Sequence, residues 1–162
     1  MQSGSGFVPL AIVEADIGFA PGAEDNALAV WIGQLVSDNL AAHRECRRDF
    51  GALRAAVAMV APDRRLTATL RFDHGHLTIH DGMVGIPDVT LCGDYEVLVA
   101  VANIPLSPIG RLPLPSLSRA RTPAWRTTAL ELVSGELKVY GLLSHPLVVL
   151  RVLRLLSTGQ PD

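Results

Sequence analysis

Three histidines in a short stretch are the first residues whose types and spacing could do chemistry, because imidazole is a common zinc ligand. His74, His76 and His80 surround a glycine turn. On an extended strand, His76 and His80 share a face but lie roughly 13 Å apart, whereas zinc holds its nitrogen ligands at about 2.0–2.1 Å. His74 and His76 would need further ligands from elsewhere in the chain. The spacing therefore favours exposed hairpin side chains, and we expect no metal site.

Signatures of catalysis are absent from the sequence. There is no Gly-x-Ser-x-Gly elbow for a nucleophile, and no Gly-x-Gly-x-x-Gly or Walker-type run opens a helix. The acidic residues Asp73, Asp81, Asp88 and Asp94 all occur at predicted turns, where an Asp side chain bonds the local backbone. We therefore expect no enzymatic activity and no cofactor. An isomerase- or cyclase-like enzyme remains an alternative, and it would need a buried carboxylate or histidine.

A proline-rich stretch from Asn103 to Thr128 mixes apolar residues with arginines and contains no acidic residue. Its five prolines exclude it from helix interiors and central strands, so it is predicted to be a long loop, and such loops usually serve a function. One interpretation is a lid that rests on an anionic membrane, where tryptophan favours the interface. The alternative is a structural loop whose leucines fill the core. The predicted membrane contacts are Arg111, Arg119, Arg121, Trp125 and Arg126.

The segment from Leu147 to Leu156 has more apolar surface than one helix face needs. Only Arg151 and Arg154 interrupt it, whereas a helix at a protein surface usually shows an apolar stripe about 100° wide. In the simpler interpretation its leucines are ordinary core. In the other, one side meets a sheet, a second side lines a cavity for a lipid, and the two arginines mark the solvated edge. Pairing of these arginines with a ligand carboxylate or phosphate is the less favoured alternative to a solvated edge.

Composition sets the class of protein. With 162 residues, the chain is long enough for one domain with one core. The hydrophobic fraction of 49% and mean hydropathy of +0.31 are high, yet no apolar run approaches the roughly 20 residues of a membrane span. With a net charge of −2, the chain lacks the overall positive charge that is typical of nucleic-acid-binding domains.

The segment from Phe7 to Val13 follows no basic residue, so we do not interpret it as a signal peptide. The two unpatterned cysteines, Cys46 and Cys92, suit a reducing cytoplasm, and the strong preference for Arg over Lys suggests a bacterial source.

The elements that would position these residues follow from periodicity. Residues 1–24 are predicted to be an irregular lead-in, and residues 25–162 a single domain. A first helix starts after Asp25 or Asn26, and a second, from Phe50 to Val60, is stopped by Pro62. The predicted strands are Leu66–Phe72, His76–His80, Pro87–Cys92, Ala129–Ser134 and Gly135–Gly141, and the later helices are Tyr95–Ala102 and Leu147–Leu156. This order predicts an α+β domain.

Four of these features, in this order, resemble the sterol carrier protein 2 domain. They are the hairpin from Leu66 to His80, the strand Pro87-Asp-Val-Thr-Leu91, the short helix opened by Asp94-Tyr95-Glu96, and the strand Gly135-Glu-Leu-Lys-Val-Tyr-Gly141 before an apolar helix. The resemblance spans Phe50 to Ser157. It implies a five-stranded, mainly antiparallel sheet covered by helices, with an apolar tunnel between them. Members of that family bind or move sterols, fatty acids or acyl-CoA without chemistry of their own.

The resemblance implies a cytoplasmic, non-enzymatic protein that binds or transfers a sterol-like, fatty-acyl or isoprenoid ligand. An alternative is an accessory domain that presents a lipophilic intermediate, such as a quinone precursor, to partner enzymes. Two departures qualify the resemblance: the 103–128 stretch is longer than expected, and the final residues, Gly159 to Asp162, are no peroxisomal address. A transient contact with an anionic membrane is also expected. The predicted lipid-lining residues are Leu98, Val101, Ile104, Leu106, Ile109, Leu112, Leu147, Leu150 and Leu153.

Overall fold

A mixed sheet and the helices on one of its faces make up the part of the chain that the structure, a computed structural model, describes: residues 16–102 and 137–157. Two single 3₁₀ turns, Ala23–Asp25 and Pro62–Arg64, join these elements. The strands are β1 (Asp16–Phe19), β2 (Arg54–Ala61), β3 (Leu66–Asp73), β4 (His76–Asp81), β5 (Val89–Cys92) and β6 (Lys138–Tyr140), and the helices are α1 (Ala27–Ala42), α2 (Arg44–Ala52), α3 (Tyr95–Ala102) and α4 (Pro146–Leu156).

The strand order is β1-β4-β3-β2-β5-β6. β1 pairs with β4, and β2 with β5, in parallel, while β2–β3, β3–β4 and β5–β6 are antiparallel. The predicted α+β class is confirmed. The predicted five-stranded, mainly antiparallel sheet is corrected to a mixed sheet of six strands in the described ranges. The predicted strand Ala129–Ser134 lies outside those ranges.

The largest correction concerns β2, because the predicted helix from Phe50 to Val60 is wrong. Helix α2 ends at Ala52 and the chain continues as a central strand between β3 and β5. Val57 and Met59 of β2 face the helices, and Ala58, which points to the opposite face, is also fully buried. A strand covered on both faces loses its polar alternation. A run of Ala, Val and Met without that alternation can be mistaken for a buried helix.

A second difference lies in the predicted lead-in. Its last part contains β1, a short edge strand that pairs in parallel with β4 from Asp16↔His76 to Phe19↔Ile79. Ile17 and Phe19 pack against the core on the helix side of the sheet. Four residues carry too little pattern to predict a strand, and it is the neighbouring β4 that supplies the hydrogen bonds.

Helix α1 covers one half of the sheet. Asn26 caps its N-terminus by accepting hydrogen bonds from the backbone N–H groups of Leu28 (3.0 Å) and Ala29 (3.2 Å). Among the strands, α1 packs most closely on β3 and β4, whereas α4 packs most closely on the helices α1, α2 and α3. Gly33 lets α1 approach the sheet, because a Cβ there would lie 2.7 Å from the ring of Phe19.

The connection from β4 to β5 crosses the sheet face opposite the helices, which we call the outer face. To reach β5 it must pass β3 and β2. Thr69, fully buried, fixes the crossing: its hydroxyl donates to the carbonyl of Gly82 (2.7 Å) and accepts from the N–H of Val84 (3.0 Å). The crossing segment therefore accounts for the burial of outer-face residues such as Ala58, whereas the outer-face residues Arg71 and Thr78 are exposed.

Candidate functional site

Helices α3 and α4 carry the predicted lipid-lining residues that the structure describes. Leu98 and Val101 of α3 are buried, at 2% and 6% exposure, and α3 contacts α4. On α4, Leu150 and Leu153 are partly buried, but Leu147 is 63% exposed. The tertiary structure thus brings residues of two separate segments onto neighbouring helices. The other predicted lining residues (Ile104, Leu106, Ile109 and Leu112) and membrane contacts (Arg111, Arg119, Arg121, Trp125 and Arg126) lie outside the described ranges.

Polar contacts hold α4 on α1 and α2. The Asn39 amide donates to the carbonyl of Leu155 (2.8 Å), and the Cys46 thiol lies 3.7 Å from the carbonyl of Arg154. Arg154 Nη1 lies 3.1 Å from Asp49 Oδ2, and both side chains are largely buried. Because a buried carboxylate must be paired, this contact fixes the orientation of α4.

The two arginines of α4 therefore have structural partners. Arg151 donates to the carbonyl of Ala52 (3.2 Å) and lies 4.0 Å from Asp49. Sequence reasoning placed both arginines at a solvated edge and considered, as a less favoured use, pairing with a ligand carboxylate or phosphate. Their observed partners, Asp49 and Ala52, both lie on α2, an element that was itself predicted wrongly, so these contacts could not be foreseen.

Apolar side chains line the space between this helix layer and the sheet. Met59, Leu91 and Val139, from β2, β5 and β6, belong to the same apolar cluster as Leu98 and Leu153. In the described ranges, every buried side-chain nitrogen and oxygen atom has a hydrogen-bond partner. No isolated acid or base points into this cluster there. The chemistry available is therefore apolar contact.

Burial also determines the ionisation of the Cys46 thiol, which lies on α2 and faces α4. Burial, and next the carboxylates of Asp49 and Glu45, raise the pKa of its thiol to about 11. At neutral pH the thiol is therefore protonated and a poor nucleophile. This buried cysteine is therefore a packing residue.

The outer face carries a polar groove with a volume of about 920 Å³ over β2, β3 and β4. Its charged and titratable lining residues are Arg54, Arg71, Asp73, His76, His80 and Asp88, and Ile86 of the crossing segment forms one side. His76 Nδ1 lies 3.2 Å from Asp16 Oδ2. Within the described residues, no group of three or more His, Cys, Asp or Glu is arranged to hold a metal ion. The sequence predicted the histidines to be hairpin residues and did not reveal the groove, because only strand pairing places β2 and β4 on either side of β3.

No helix in the described ranges is both long and apolar enough to cross a bilayer. No protein-family model matches the sequence, and no curated protein matches it. The fold, however, matches solved structures. A structure described as "UbiJ-SCP2 Ubiquinone synthesis protein" superposes with a TM-score of 0.53 at 16% identity, covering 78% of this chain and 90% of its own.

A structure of sterol carrier protein 2 matches with a TM-score of 0.47 at 15% identity, over 78% of this chain and 91% of that one. This second likeness is too weak to carry an argument. At sequence identities this low, a superposition shows only a shared fold, because proteins with unrelated functions can have the same fold. The first superposition confirms what the sequence motifs predicted: the chain has the fold of the sterol carrier protein 2 domain.

Proposed function

We propose that this protein is a non-enzymatic lipid-binding protein. It holds a sterol-like, fatty-acyl or isoprenoid ligand in an apolar cavity bounded by α3, α4 and the inner face of the sheet. Burying about 300 Å² of apolar ligand surface contributes roughly 7–8 kcal/mol before the cost of association, enough for micromolar affinity. The cytoplasmic location predicted from the sequence belongs to the same proposal.

The observation that carries this proposal is the incomplete covering of α4. One side of the helix is buried through Val149, Val152 and Leu155. Leu150 and Leu153 are only partly covered, and Leu147 is 63% exposed. Apolar surface left over on a helix of a small domain is surface that a ligand can bury. The shared fold supports the same interpretation, since the family's members hold lipids.

A direct test begins with what the protein carries. The purified protein is extracted with organic solvent and the extract analysed by mass spectrometry, and a fluorescent fatty acid is titrated into the stripped protein. We expect a bound lipid in the extract and saturable, displaceable fluorescence. An empty extract together with no displacement would contradict lipid binding.

A space-filling variant locates the cavity. Leu153→Phe enlarges a partly buried side chain of α4. It should raise the dissociation constant of the fluorescent fatty acid roughly fourfold for each ligand methylene group that the larger side chain displaces. Val30→Phe, on the exposed side of α1, is the matched control and should bind like the wild type. Equal affinities for the two variants, with equal thermal stability, would exclude a cavity beside Leu153.

A second candidate function is an accessory domain that presents a lipophilic intermediate, such as a quinone precursor, to a biosynthetic enzyme. The similar structure described as a ubiquinone synthesis protein favours it. So does the open groove on the outer face, where Arg54 and Arg71 make no hydrogen bond or ion pair to described residues. Asp73 and Asp88 also line the groove, so a partner surface that presents charges of both signs would complement it.

A pull-down from the source cells distinguishes the two candidate functions. An accessory domain should co-purify with biosynthetic enzymes, and Arg54→Glu with Arg71→Glu should abolish that association while leaving fatty-acid binding unchanged. Arg48→Glu, an exposed arginine of α2, is the control. A carrier acting alone would show no stable partner and no difference between these variants.

A further inference from the structure

Helix α3, one wall of the proposed cavity, is held at its first turn by a residue from a distant part of the chain. The backbone N–H of Tyr95, the first residue of α3, donates to the carboxylate of Asp63 (2.9 Å). Asp63 lies in the 3₁₀ turn Pro62–Arg64, which joins the central strands β2 and β3. The first N–H groups of a helix have no partner within it, and the helix dipole favours a carboxylate there. The connection between two central strands therefore caps α3.

Contacts around the Tyr95 ring fix the rotation of α3 about its own axis. Arg64 Cζ lies over this ring, 4.0 Å from its centre, and Arg64 Nη2 lies 2.9 Å from Glu96 Oε1. The ring centres of Trp31, on α1, and Tyr95 are 6.0 Å apart. Because an exposed ion pair contributes little to stability, the Arg64–Glu96 pair is the weaker restraint. The ring contacts, which depend on direction, are the stronger one.

This rotation matters because Tyr95 begins the stripe of α3 that faces inward. Leu98 and Ala102 follow it at i+3 and i+7, the spacing of one helix face, and each is 2% exposed. Val101, which is 6% exposed, flanks the same stripe. Helix α3 packs more closely on α4 and on the 3₁₀ turn Pro62–Arg64 than on any described strand. The separation between α3 and the sheet is therefore set by that turn and by α4.

We propose that Asp63 is a positioning residue for the lipid cavity, because its cap on α3 fixes the width of the space beneath Leu98 and Val101. The inference rests on the proposed lipid-binding function and deepens it by naming a determinant of ligand shape. Both side chains are almost fully buried, so the space beneath a fixed α3 is narrow. A narrow space suits a single acyl or isoprenoid chain, whereas a broad sterol ring system requires α3 to move outward. The cap therefore favours linear ligands over sterols.

The test compares the dissociation constants of a straight-chain fluorescent fatty acid and of the fluorescent sterol dehydroergosterol. Asp63→Ala removes the acceptor, so the fatty-acid Kd should rise roughly fivefold while the sterol Kd stays unchanged or falls. Asp63→Asn loses the same charge but keeps an oxygen that can accept from the Tyr95 N–H, so it should bind both ligands like the wild type. Asp38→Ala, which removes an exposed carboxylate bonded to Gln34 within α1, is the matched control. Amide hydrogen exchange at Tyr95 should accelerate only in Asp63→Ala.

Each outcome supports the positioning role or overturns it. A wild type that binds neither ligand contradicts the proposed function, and the positioning role fails with it. Fatty-acid binding by the wild type with unchanged constants in Asp63→Ala overturns the positioning role and leaves the proposed function intact. Equal weakening of both ligands, or the same loss in Asp63→Asn, assigns the effect to general destabilisation or to charge and overturns it as well. A wild type that binds the sterol more tightly than the fatty acid overturns the preference for linear ligands.

Discussion

At the scale of single residues, Asn26 joins three elements. Its side-chain oxygen caps α1, while its amide nitrogen donates to the carbonyl of Thr67 on β3 (2.8 Å) and to Asp81 at the end of β4 (2.6 Å). An aspartate would cap the helix equally well but could not donate. The asparagine therefore fixes the position of the start of α1 relative to the hairpin. Because Asn26 is buried, loss of these hydrogen bonds would leave their partner groups unsatisfied and destabilise the fold.

Cys46 provides a prediction about pH. Because burial raises the pKa of the folded thiol to about 11, while the unfolded thiol ionises near its ordinary value of 9.0, the unfolded state binds fewer protons between these values. The free energy of unfolding should therefore be unaffected by this thiol below about pH 9 and decrease as pH rises toward 11, by at most about 1.4 kcal/mol per pH unit. Urea unfolding of wild type and Cys46→Ala across this range measures it.

The comparison with Cys46→Ala isolates the thiol, since lysine and tyrosine titrate in both proteins. The free energy of unfolding of the wild type minus that of Cys46→Ala should decrease as pH rises from 9 to 11. A difference that stays constant would mean that the folded thiol ionises like the unfolded one. Thiol reagents should also modify native Cys46 far more slowly than the unfolded protein.

At the scale of elements, the crossing segment between β4 and β5 depends on one hydroxyl. Thr69→Val keeps the shape of the side chain but leaves the carbonyl of Gly82 and the N–H of Val84 without their partner. We expect a loss of about 1–3 kcal/mol in the free energy of unfolding, together with faster hydrogen exchange at Val84. Thr78→Val, at an exposed outer-face position, should change stability by no more than about 0.5 kcal/mol. Similar losses in both variants would show that Thr69 acts through strand packing alone.

Elements also differed in how far the sequence predicted them. The hairpin β3–β4, the strand β5 and the helix α3 were predicted almost to the residue, because half-buried strands alternate and Asp94 precedes the helix. β2 was mistaken for a helix, since both of its faces are covered and Ala58 replaces the polar residue that would have marked the outer face. The pairing partner, not the local pattern, decided its structure.

At the scale of the whole molecule, a ligand that binds only the folded state must stabilise it. For stripped protein, a fatty acid at 100 times its dissociation constant should add about 2.7 kcal/mol. For a domain of this size that raises Tm by about 5–10 °C. A short-chain acid such as hexanoate is the control, because it buries too little apolar surface to bind at the same concentration. An unchanged Tm at saturating long-chain ligand would contradict an interior binding site.

The sequence by itself determined the α+β class, most strands and helices, the apolar excess of α4 and the resemblance to the sterol carrier protein 2 domain, because these are properties of periodicity and of contiguous motifs. Only the tertiary structure decided that β2 is a central strand, that Asp49 pairs with both arginines of α4, and that Gly141, directly after β6, lies against the backbone of Asp88. Each depends on strand order and on contacts between distant segments. A local pattern records which residues are apolar, but it does not record which of them the rest of the chain will cover.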